Sequence, residues 1–107
     1  MKTYDGNMIR RQSGFVWDGT KYKVTVMSVK KWFEYDLKSK LDAAITADTD
    51  QEKRVVTEQI NFIEASSDIP VKALWEMDAT TINFLFKLSK GEDPENVEPI
   101  KDDAGKN

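Results

Sequence analysis

The chain has 107 residues, a formal net charge of −3, and neither histidine nor cysteine. The missing cysteine removes disulfide frameworks, thiolate nucleophiles and zinc-thiolate sites, and the missing histidine removes the usual general base and the commonest transition-metal ligand. What remains is a single small domain with no covalent or metallic staple, for which self-association is an additional source of stability.

Charge is unevenly placed. Residues 1–31 carry seven basic side chains against two acidic ones, a net +5, whereas residues 32–89 sum to −5 and residues 90–107 to −3. Oppositely charged parts attract within one chain or between copies, at distances set by salt screening. Met1 to Ser13 is polar, without the apolar centre of a signal peptide, and no apolar run approaches the roughly 20 residues a membrane helix needs. A soluble protein of the cytoplasm is expected.

Phe15-Val16-Trp17, Asp18-Gly19 and the alternating run from Thr20 to Met27 predict a β-hairpin, because Asp-Gly tolerates the positive φ angles of a two-residue type I′ turn. With those two residues as the loop, Trp17 pairs with Thr20 and Phe15 with Tyr22. Phe15, Trp17, Tyr22, Val24 and Val26 then share one face, and Val16, Lys21, Lys23 and Thr25 the other. Ser28 is an N-cap for a helix from Val29 to Thr46, whose apolar residues Val29, Trp32, Phe33, Leu37, Leu41, Ala44 and Ile45 form one stripe. Thr49-Asp50-Gln51-Glu52 matches a capping box, opening a second helix to Ala65 with Val56, Ile60 and Ile63 as its main stripe and Phe62 beside it.

Pro70 suits the first turn of a further helical segment bearing Leu74, Trp75 and Met77, with a break near Asp78 before Ala79 to Ser89. Gly91 is a helix stop, and Pro94 and Pro99 lie in an acidic stretch poorly suited to packing. The expected fold class is therefore α+β and mostly α-helical. An N-terminal hairpin (about 12–27) packs on three or four helices (about 29–46, 50–65 and 70–89) in one domain over 1–91, with 1–11 loose and 92–107 a flexible acidic tail.

Little in the chain points to chemistry. An EF-hand loop starting at Asp48 needs glycine sixth and glutamate twelfth, where Lys53 and Gln59 stand. The carboxylates are interleaved with the apolar stripes as on a solvated helix face, and Gly6, Gly14 and Gly19 make no phosphate-binding motif. No catalytic residue, metal or cofactor is expected, and the chain is not expected to be an enzyme. A nucleic-acid surface needs lysines and stacking aromatics on one exposed face, yet the hairpin register puts Lys21 and Lys23 opposite Phe15, Trp17 and Tyr22. Trp32, Phe33, Trp75, Phe84 and Phe86 are a heavy aromatic load for so small a body. Core packing is the plain reading of each, and a protein-binding surface the alternative. Phe84-Leu85-Phe86 is the first place to look, since three consecutive helical positions cannot all point at one core.

The strand pair around Asp18-Gly19, the helical body, Leu74-Trp75-Glu76-Met77-Asp78 leading to Ile82-Asn83-Phe84-Leu85-Phe86-Lys87-Leu88-Ser89-Lys90-Gly91, and the charged tail together resemble the tail assembly chaperones of long-tailed (siphophage-type) bacteriophages and prophages. The likeness is one of pattern over most of the chain, and the family has no catalytic or ligand motif to carry over. It implies a non-catalytic protein of the bacterial host cytoplasm that binds the long, helical tape measure protein and associates with itself during tail morphogenesis. It also implies a longer product made by a −1 ribosomal frameshift, and Gly105-Lys106 is compatible with a slippery run near the terminus. The competing readings are a virion structural component, such as a head-tail connector or tail-completion protein, and a small nucleic-acid-binding regulator.

Overall fold

The computed structural model describes residues 1–5 and 12–92. In chain order it contains β1 (Gln12–Trp17), β2 (Thr20–Thr25), α1 (Val29–Tyr35), α2 (Leu37–Ile45), α3 (Gln51–Ser66), α4 (Val71–Trp75) and α5 (Ala79–Ser89). The architecture is the expected α+β one, a two-stranded antiparallel hairpin packed on helices. The expected loose residues 6–11 and the acidic tail from residue 93 onward lie outside the described residues.

The hairpin has the predicted register, Trp17 opposite Thr20 and Phe15 opposite Tyr22. Its turn is closed by Asp18 at φ 51° and Gly19 at φ 80°, the positive angles that a type I′ turn demands. Val24 is buried, Phe15, Trp17 and Tyr22 are packed against the core, and Lys21 and Lys23 are exposed on the other face. The outer edge of β2 is tied down by the chain after α3. The Lys23 N–H donates to Asp68 Oδ1 at 2.7 Å, the Asp68 N–H donates to the Lys23 carbonyl at 3.1 Å, and Val24 bridges Ser67.

Several helix ends follow from local chemistry. The Ser28 hydroxyl accepts from the Lys31 N–H at 3.2 Å, and the Asp78 carboxylate accepts from the Thr81 N–H at 2.7 Å, so both are working N-caps. Hydrogen bonding from Thr81, through its side chain first and its N–H second, lowers the pKa of the exposed Asp78 carboxyl. Pro70 occupies the cap position of α4, and its carbonyl accepts from Ala73 and Leu74. At the end of α5, Gly91 takes φ 88° while its N–H donates to the Leu88 carbonyl and the Glu92 N–H to that of Lys87, a Schellman motif. α3 ends where Ser66 and Ser67 turn their hydroxyls back onto the carbonyls of Phe62 and Ile63, each at 2.7 Å.

Two expectations are corrected. The helix over 29–46 is not continuous: Asp36 adopts φ 56°, ψ 54°, the left-handed region, and separates α1 from α2. Aspartate tolerates that region better than most residues, and the break lets Trp32 and Tyr35 reach Phe62 on α3. The Thr49 capping box also does not form. Asp50 stands at the cap position with φ 57° and no side-chain cap bond, while the Thr49 carbonyl accepts from Arg54 Nε at 3.1 Å.

The core gathers Val24, Leu37, Ile60, Phe62, Ile63, Ile69, Leu74, Met77, Ile82, Leu85 and Phe86. α3 is its axis, packing against α2, α4 and α5.

Candidate protein-binding surface

The five aromatic residues singled out from the sequence separate into core and surface. Phe86 is only 6% exposed, and its ring meets that of Phe62 edge-on at 5.6 Å. Phe84 is half-buried, its ring 6.2 Å from Phe15 of the hairpin. The run Phe84-Leu85-Phe86 is thus turned inward, with Leu85 and Phe86 in the core and Phe84 facing a neighbouring element. Phe86 therefore stands where it offers no surface to a partner, because α5 lies between α3 and the hairpin and is covered from both sides.

The other three are at the surface. Phe33 is 74% exposed, Trp75 50% and Trp32 37%. α1 buries none of its residues. Val29, 72% exposed, stands one turn before Phe33, so an apolar pair at i, i+4 lies open on the outer side of α1. Trp32 and Tyr35 face inward on the same helix, their rings edge-on to Phe62 at 5.6 and 5.4 Å. On α4, Val71 and Trp75 form a second exposed pair at the same spacing.

Sequence reasoning put Phe62 beside the stripe of its helix, whereas it is fully buried and is touched by the rings of Trp32, Tyr35 and Phe86. Its size was the available signal, because a large aromatic flanking a stripe of smaller aliphatics reaches further than they do. Ile45, assigned to the inner stripe, is exposed.

Tyr35 is the electrostatic feature of this region. Burial of its phenol, with the carboxylates of Glu58 and Glu64 acting in the same direction, pushes its pKa from the ordinary 10 to about 12. Tyr35 Oη is buried and has no hydrogen-bond partner among the described residues. Lys40 Nζ donates to the Tyr35 carbonyl and sits 4.5 Å from the centre of the ring, closing the C-terminal end of α1.

Two open clefts mark the surface. One of about 350 Å³ lies between the open end of the hairpin and the end of α3, lined by Lys23, Thr25, Val26, Lys31 and Ser67 among others. The second, about 400 Å³, lies between α2 and α3 and mixes Lys40, Lys53 and Arg54 with Asp50 and Glu58. Thr57 also lines the second cleft, its hydroxyl donating to the Lys53 carbonyl at 2.7 Å. Among the described residues no group of three or more acidic side chains is placed to hold a metal ion, and no helix is long and apolar enough to cross a membrane. No family model, no curated protein and no solved structure matches the chain.

Proposed function

We propose that the chain works by binding rather than by chemistry, as a tail assembly chaperone that holds the tape measure protein and associates with itself in the host cytoplasm while a long phage tail is built. The observation that carries this reading is α1, a helix that presents Val29 and Phe33 to solvent and has no fully buried residue. Exposed aromatic and aliphatic groups in a polar surround are costly to leave in water and mark sites of association. Their i, i+4 spacing matches the stripe of an amphipathic helix, the commonest way two helical segments recognise one another. Lys30, Lys31 and Glu34 on the same helix supply the charged rim that keeps such a patch soluble.

The test is co-expression of the tape measure protein with the wild-type chain or with Val29→Ser combined with Phe33→Ser. Because both side chains are exposed, the variant keeps its fold and its circular dichroism, and the expected outcome is loss of most of the soluble tape measure protein. Full retention of soluble client by a folded variant would remove α1 as the binding surface. Recovery of the chain as a stoichiometric part of finished particles would instead favour a structural component of the virion.

A further inference from the structure

The break at Asp36 divides the described chain into an arm, residues 12–35, and a body, residues 37–92. Val24 of the arm is buried in the core of the body, Trp17, Tyr22 and Met27 pack against that core, and Lys40 Nζ donates to the Tyr35 carbonyl. Trp32 and Tyr35 rest on Phe62, Phe15 on Phe84, and the Lys23 backbone exchanges hydrogen bonds with Asp68. Between arm and body stands one residue, held at φ 56° although it is not glycine. The backbone ladder is interrupted there. Asp36 donates to the Trp32 carbonyl and Lys40 to the Asp36 carbonyl, but among the described residues no backbone bond runs from Leu37, Lys38 or Ser39 back into α1. Val29, Phe33, Leu37 and Leu41 nonetheless keep the four-residue spacing of one unbroken helical face.

We propose that self-association of this chain proceeds by arm exchange: Asp36 straightens, α1 and α2 become one helix over 29–45, and the arm of each copy docks on the body of the other. This deepens the self-association half of the function proposed above and rests on it. A straightened hinge lifts the arm off its own body, and the apolar rings it uncovers need a new seat. Only a second copy offers Phe62, Phe84 and Asp68 in the positions that Trp32, Tyr35, Phe15 and Lys23 require. The exchanged state therefore keeps the whole packing of arm on body. It adds the missing helical hydrogen bonds, releases two left-handed aspartates, and brings the open Val29/Phe33 faces towards the junction of the two copies. Charge favours it as well, since the net +2 of the arm, residues 12–35, meets the net −3 of the body, residues 37–92, equally well in trans. A short hinge under strain is the usual structural origin of such exchange.

The experiment uses the absence of cysteine. Val24 and Ser67 form the bridge between arm and body, so Val24→Cys with Ser67→Cys installs one link per arm at that bridge. The sample is oxidised at a concentration where light scattering reads a dimer. The expected product is a covalent dimer on a non-reducing gel that reverts to monomer with reductant. An internally linked, monomer-sized product from a light-scattering dimer overturns arm exchange and leaves self-association standing. A chain that stays monomeric to millimolar concentration overturns both. Should the double variant not fold, Asp36 decides alone. Asp36→Ala, which disfavours the left-handed state in two hinges per dimer, tightens the dimer by about tenfold, and Asp36→Gly, which accommodates that state, loosens it. Equal dimer constants for the two variants overturn the proposal.

Discussion

α1 and α5 are two short helices of similar make-up with opposite fates. Each starts at a side-chain cap that accepts the N–H three residues on, Ser28 for α1 and Asp78 for α5, and each carries aromatic side chains. α5 nevertheless buries Ile82, Leu85, Phe86 and Ser89, while α1 has no fully buried residue. The difference lies in what surrounds them. α5 is flanked by α3 and by β2, so two of its sides are covered. α1 meets the body through the inner rings of Trp32 and Tyr35 and through Lys40 at its C-terminal end, while Val29 and Phe33 stay exposed. Apolar content makes a helix capable of burial, and the number of neighbours decides how much burial takes place.

The sharpest way to break this contrast is at Phe62, where the two helices meet through one ring. Phe62 is fully buried and holds Trp32 and Tyr35 from α1 on one side and Phe86 from α5 on the other. Phe62→Ala should cost about 3–5 kcal/mol of unfolding free energy, a large share of what a small domain has. The urea midpoint reads it, and a loss under about 1 kcal/mol would mean that the rings do not form one packed cluster. Next in size is the pair Phe86→Ala and Phe33→Ala. The first opens a cavity beside Phe62 and should cost about 3 kcal/mol, whereas the second removes a solvated ring and should stay within about 0.5 kcal/mol. Equal costs for the two would show that α1 is as well covered as α5. Gly91→Ala should fall between them. A Cβ there meets Val26 only at 3.6 Å, an ordinary van der Waals distance, so the penalty of roughly 1 kcal/mol comes from the left-handed backbone alone.

The same contrast explains which parts of the fold were legible in the sequence. The hairpin register, the Ser28 cap, the break near Asp78 and the Gly91 stop all depend on short-range patterns, and each followed from local chemistry. The Asp36 break was not legible, because nothing within the run from Val29 to Ile45 requires it. It serves the packing of Trp32 and Tyr35 on Phe62, which lies on a different helix much further along the chain. Thr49 failed as a cap for a related reason: Asp50 took the left-handed state, and the Thr49 carbonyl was turned to Arg54. At the candidate surface, helical periodicity separated the faces of each element without telling which face meets the body. Phe86 and Phe33 therefore read alike in the sequence and differ in the structure.

The last test asks whether α1 is docked at all. Tyr35 is neutral in the folded chain up to about pH 12, while in the unfolded chain it loses its proton near its ordinary 10. Above pH 10 the unfolded state therefore binds fewer protons than the folded one, and stability falls as pH rises. The contribution of Tyr35 is complete below pH 10 and is lost between 10 and about 12. The informative quantity is the difference between the wild-type chain and Tyr35→Phe. At about pH 8 the variant should be at least as stable as wild type, because the buried Oη has no partner to lose. From about pH 9 to about pH 11.5 the wild-type urea midpoint should fall further than that of the variant. Parallel curves would mean that α1 swings free of Phe62 in solution and exposes Tyr35. Arm exchange predicts no such freedom, since the ring remains buried against Phe62 of whichever copy receives it, and the difference between the two curves then persists at concentrations on either side of dimerisation.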